Sequence, residues 1–376
     1  MKLVLKLFLI IFSVCQISTF GQKISDDSLL KRARLEIYDN PDNAISITKN
    51  LLKKEKDITQ SISLYMLLST ANIAKRDFDE SLKYILKAKE LASKTNDLKT
   101  QTRVLISVAI QYQQMELFSK SLETLNEADE YLAKLPDNLQ EKNIETARSY
   151  AIRGMIYKSQ SNSEIALEKF LKSIESFKKV NDPKTTSANM SVVFYNIGHC
   201  YLNLNQIDKA EQAFLQSAHY AQSDKAKSLE AFALKGMSEV HKQKRENQTA
   251  LNLLIKAESL CKNTNDLVLN EGIFKEMADN YLAIGNQNLY QIYNKKHFEM
   301  RFKREKKELS SINQVINNHN RETLIKSEEL KKKFTYFFVS LIGLGTLLIV
   351  LLLLFIFKIR KQNKKYHKEI QELIRS

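Results

Sequence analysis

The 376-residue chain predicts an all-α protein: a solenoid of about six to seven helical hairpins, followed by a helical stalk and one membrane span. Three observations carry that reading. Gly (8), Pro (3) and Trp (0) are scarce, which argues against a turn-rich β fold, and the common residues suit helices with polar turns. A pattern of small and aromatic residues recurs at steps of 37 to 45 residues. A run of 24 residues without charge, 334–357, lies near the C-terminus.

The N-terminus has the form of an export signal. MKLVLK supplies positive charge, LFLIIFSVC an apolar core, and Thr19 and Gly21 the small pair before a cut. We expect a signal peptide over 1–21. The 9–12 apolar residues are short for an uncleaved anchor, and the branched Val14 before Cys15 suits lipidation poorly.

The repeat is clearest in two segments. From Tyr150, Gly154 follows four residues later, Tyr157 three beyond, Ala166 nine beyond that and Phe170 four further. From Phe194 the same spacing gives Gly198, Tyr201, Ala210 and Phe214. Such spacing describes two amphipathic helices joined by a short turn. Gly and Ala let the helices approach, and the aromatics fill the space between hairpins. The small residue of the second helix falls at 44, 81, 121, 166, 210 and 250, and Tyr290 stands in its place last, so the final hairpin must pack differently. Pro136 and Pro183 sit in the joins between repeats, where helices end.

This small–aromatic signature resembles the tetratricopeptide repeat (TPR), whose unit is roughly 34 residues. The resemblance implies hairpins stacked into a solenoid over 22–300, with the first helix of each pair on the concave face. Carried onto this chain, it sets Arg103, Gln113, Arg148, Met155, Lys158, Tyr195, His199, Lys235, Lys242 and Lys275 along that face. Basic residues with aromatic and apolar ones between them suit an extended peptide bearing an acidic or C-terminal carboxylate group. A solvated helix face accounts for the same lysines, and both readings stand.

Residues 301–333 form helices readily, with no Pro or Gly, and we expect a stalk there. Leu309, Ile312 and Ile316 begin a heptad seam that His319, Thr323 and Lys326 interrupt before Leu330, so a parallel homodimeric coiled coil is one reading. The run 334–357 is long enough for a transmembrane helix. Lys331, Lys332 and Lys333 precede it, while Lys358, Arg360, Lys361, Lys364 and Lys365 follow, which favours a cytoplasmic tail over 358–376. The net charge of +15 concentrates beside the span, with twelve Lys/Arg against six Glu in 295–333 and seven against two in 358–376. Anionic headgroups explain that placement more simply than nucleic acid, and no nucleic-acid contact is expected of this chain.

No catalytic or metal site is expected, and no cofactor. His199 and Cys200 are adjacent and point about 100° apart on a helix. His219, His241, His297, His319 and His367 lack an HExxH or CxxC companion, and no Gly-rich phosphate loop is present. Cys200 and Cys261 read as two core thiols, with a disulfide as the alternative in an oxidising periplasm. The layout resembles the sensor half of membrane-bound regulators of Bacteroidetes-type bacteria, which place a TPR ectodomain and one span before an AraC- or LuxR-type domain or a histidine kinase. That implies a periplasmic body, a single pass through the inner membrane, and a sensor or scaffold that binds protein or peptide. A transcriptional regulator truncated before its DNA-binding domain is the alternative.

Overall fold

The structure, a computed structural model, describes residues 25–262, 264 and 266–375, so the expected signal peptide lies outside the described residues. Among these residues there are α-helices and no strands. Paired in chain order, the hairpins are α1 (Asp26–Leu35) with α2 (Pro41–Leu52), α3 (Ile58–Ala74) with α4 (Phe78–Ala92), and α5 (Leu98–Gln114) with α6 (Phe118–Lys134). Next come α7 (Gln140–Ser159) with α8 (Ser163–Phe177), α9 (Ser187–Asn203) with α10 (Ile207–Ser223), and α11 (Lys227–Gln243) with α12 (Asn247–Cys261). In the last pair, α13 (Leu267–Ala283) meets the start of α14 (Gln287–Arg375). Pro183 opens a 3-10 turn before α9, and Pro41 is the first residue of α2, where its missing N–H breaks no helical bond.

The turn inside the hairpins is one device used six times. Arg76, Glu116, Ser161, Asn205, Arg245 and Gly285 all adopt positive φ, between 59° and 76°. Each stands five residues before position 81, 121, 166, 210, 250 or 290. In every copy the next residue's N–H reaches back to the carbonyl five positions earlier, as from Asp77 to Asn72 (2.9 Å) and from Asn286 to Tyr281 (2.9 Å). This closes the orphan carbonyls of the first helix and aims the second antiparallel to it.

Small residues twelve apart then meet across the second and third hairpins. Ser81 Oγ donates to the Ser69 carbonyl at 2.8 Å, and Ser121 Oγ to the Ala109 carbonyl at 2.8 Å. Glycine serves where a ring must come closer. A Cβ on Gly154 would lie 2.6 Å from the Phe170 ring, and one on Gly198 2.6 Å from the Phe214 ring. Gly236 of the next repeat approaches Phe214 from another helix, at 2.3 Å for a built Cβ, so this ring lies between two glycines. Phe170, Phe214, Ala166 and Ala210 are fully buried; Tyr157 and Tyr201 pack half-buried on the cluster of Ala166 and Phe170, and Tyr201 also on that of Ala210 and Phe214. The core is thus a string of local clusters, each shared by adjacent hairpins.

The final hairpin is built on rings. Tyr293 of α14 stacks on Tyr281 at 5.4 Å, and its hydroxyl donates to Glu258 at 3.1 Å. Cys200 and Cys261 are free, buried thiols in different clusters. Burial pushes their pKa values up to about 11 and about 12, which leaves them unreactive at neutral pH.

The hairpins and the first part of α14, to Ile312, form one compact unit; Asn313–Ser376 form a second. In the second unit, Ser327–Lys368 is the one described stretch long and apolar enough to cross a membrane, and its most apolar 18 residues have mean hydropathy 2.9. Its large apolar side chains, such as Phe334, Leu344 and Phe355, are exposed.

Candidate functional site

The odd-numbered helices α3 to α13 line an interior hollow. One cavity, of about 350 Å³, is lined by Gln113, Met155, Lys158, Tyr195 and Asn196, among others. An adjoining cavity, of about 500 Å³, takes in Tyr38, Arg76, Arg148, Asn189 and Asp266. The two share Gln114, Val192, Leu229, Phe232 and Val268 as a mostly apolar floor. Tyr38 comes from the first hairpin and Asp266 from the cap of α13, so the curvature brings the two ends of the array to one space.

Of the residues that the sequence sets on the concave face, Gln113, Met155, Lys158 and Tyr195 line the first cavity and Arg148 the second. Lys158 donates to Asn196 Oδ1, and no carboxylate pairs with it among the described residues. Burial lowers its pKa, Cys200 and the charge of Glu239 act against that, and the nearby charge of Lys235 acts in the same direction as burial. A half-buried ammonium held by an amide oxygen, beside open space, attracts an anion. Arg148 differs, because Glu145 holds its guanidinium at 2.7 Å, and Ser107 Oγ accepts from it at 3.3 Å.

Arg103, His199, Lys235, Lys242 and Lys275 line neither cavity. The last three spend their charge on neighbours: Lys235 pairs with Glu239, Lys242 with Glu276, and Lys275 with Asp279 at 3.3 Å. His199 packs its ring on Tyr195 (4.5 Å) and Phe214 (5.2 Å), with Nδ1 3.5 Å from Glu239. Burial drives its pKa well below the usual histidine value, and the charges of Lys235 and Lys158 add to that. Lys242 with Glu276, and His199 with Glu239, join one repeat to the next, whereas the Lys235–Glu239 and Lys275–Asp279 pairs lie within one helix.

Sequence reasoning missed Tyr38, Arg76, Gln114, Val192, Phe232 and Asp266. Asp266 caps α13 by accepting from the Leu269 N–H at 3.0 Å, and burial raises its pKa despite that bond. The Asp before an apolar run signals a cap in the sequence, but nothing local signals that this cap faces the first hairpin. Among the described residues, no three His, Cys, Asp or Glu side chains converge as a metal site.

A family model described as tetratricopeptide repeat matches residues 62–95 and 192–223, which fall on α3–α4 and α9–α10. No curated protein sequence matches the chain. Among solved structures, the chain is similar to the Rap conjugation gene regulator of plasmid pLS20 in complex with the Phr* peptide, at 13% identity and TM-score 0.59. That match covers 77% of this chain and 80% of the other. It is also similar to NprR in complex with its cognate peptide NprX, at 14% identity and TM-score 0.53, over 80% of this chain and 85% of the other. At such identities the likeness shows the fold, a TPR-like helical repeat array.

Proposed function

We propose that this protein is a membrane-anchored receptor or scaffold that holds an extended peptide or protein segment in its interior hollow. The observation that carries this reading is Lys158, a half-buried cation without a carboxylate partner, set at the edge of an apolar floor of Val192, Leu229, Phe232 and Val268. An apolar bed with a few placed polar groups suits peptide side chains, and a lysine suits an acidic group among them. Support comes from the two similar structures, each of which was determined with a peptide bound.

In this reading, 22–300 is the binding body, 301–333 the stalk, 334–357 the transmembrane helix, and 358–376 the tail. The exposed apolar side chains of 334–357 then face lipid, and the lysines and arginines after them hold the tail in the cytoplasm. The body lies in the periplasm, and binding there biases the helix that leads to the membrane, as in a sensor. A photo-reactive phenylalanine analogue in place of Leu229, irradiated in living cells, tests the reading. We expect a discrete protein or peptide adduct that Lys158→Glu and Tyr195→Ala each reduce at least tenfold. No adduct, or one indifferent to both changes, overturns it.

A further inference from the structure

Residues more than two hundred positions apart meet where α14 crosses to the turn between α3 and α4. Arg304 Nε donates to Glu271 Oε2 at 2.5 Å, and Arg304 Nη1 to Glu308 Oε2 at 2.7 Å. Arg76 Nε donates to Glu308 Oε1 at 2.7 Å, and Ser311 Oγ to the Arg76 carbonyl at 3.4 Å. The four charged side chains are only 15–23% exposed. Removing one leaves its neighbours charged and poorly hydrated, so such a row holds or opens as a unit.

Arg76 also faces inward. It lines the larger cavity, and its Nη1 stands 3.5 Å from Oε1 of Gln114, which lines both cavities. The charged residues lining the two cavities are Arg76, Arg148 and Lys158 against the single acid Asp266, so the hollow favours an anion. Glu145 already occupies Arg148, and Glu308 occupies Arg76.

We propose that the Glu271–Arg304–Glu308–Arg76 row is a clasp in competition with an acidic ligand: a carboxylate entering the hollow takes Arg76 from Glu308 and frees the 300–312 stretch of α14. The trigger rests on the hollow's being a binding site; the clasp itself rests on geometry alone. While Glu308 holds Arg76, an acidic ligand meets only the fraction of molecules with the clasp open, and its apparent affinity falls by that fraction.

The test uses the full chain in detergent micelles, with hexaglutamate as the acidic probe and hexaglutamine as its neutral control. In hydrogen exchange without probe, Glu308→Gln raises the amide exchange of 300–312 at least tenfold. Hexaglutamate binds Glu308→Gln at least tenfold more tightly than it binds the wild type, Arg76→Gln loses that gain, and hexaglutamine does not bind. In the wild type, saturating hexaglutamate speeds exchange in 300–312. Unchanged exchange in Glu308→Gln, equal affinity of hexaglutamate for wild type and Glu308→Gln, or no binding of hexaglutamate to either overturns the clasp. A photo-adduct in the hollow that depends on Lys158, found together with any of those results, leaves the receptor reading in place and removes only the clasp.

Discussion

At the scale of single residues, the tightest constraint is the space around Phe214. Its ring is fully buried, and built Cβ atoms at Gly198 and Gly236 both fall within 2.6 Å of it. The ring cannot retreat from one without meeting the other. Gly198→Ala is therefore expected to destabilise the protein by about 1–3 kcal/mol, although alanine is the better helix former. Chemical denaturation of the variant measures this, and an unchanged or raised midpoint would show that the ring has room. A second residue-scale expectation concerns acid. His199 is a base whose folded pKa lies well below its unfolded value of about 6.5. Below that pH the unfolded chain binds a proton that the folded chain refuses. Stability should thus fall as the pH drops from about 6.5, with a slope of up to about 1.4 kcal/mol per pH unit from this group. His199→Gln should flatten that part of the stability–pH curve, and parallel curves for the two proteins would count against it.

At the scale of elements, the hairpin turn decides how two helices become one unit. Five of its six copies place an ordinary residue in left-handed backbone, and only the last uses glycine. The strain is about 1–2 kcal/mol for a residue with a Cβ, and less for asparagine. Ser161 is exposed and makes its turn through backbone bonds, so Ser161→Gly should stabilise by about 1 kcal/mol, net of glycine's greater freedom when unfolded. Gly285→Ala should destabilise by about 1 kcal/mol despite having open space around it, because its φ is +76°. Thermal melts of the two variants should shift in opposite directions. The hairpins themselves were legible in the sequence, because the Gly–Ala–Phe spacing records contacts within about twenty residues. The turn was not. Arg76, Glu116, Ser161 and Arg245 carry no local sign of left-handed backbone, and only their common offset of five from the small residue gives them away.

At the scale of the whole molecule, curvature decides what faces what. A repeat pattern shows which side of each helix is inward, and Lys158, Tyr195 and Arg148 could be set there from it. It does not show how far the array bends. Tyr38, Arg76 and Asp266 share one cavity only because small rotations at each repeat add up to bring the ends near, and no periodicity states that sum. The same limit explains Lys242, whose acidic partner Glu276 comes from the next repeat, whereas the pairing of Lys235 with Glu239 four residues on was open to the helical spacing alone. The row from Glu271 through Arg304 and Glu308 to Arg76 adds a mechanical property. A stack of hairpins held only through nearest neighbours stretches like a coil spring, each join yielding a little. Fastening its last helix to its second hairpin ties the spring into a loop. A pull along α14 is then borne first by four charged side chains and only afterwards by the repeats, so the fastening acts as a fuse that yields before the coil extends.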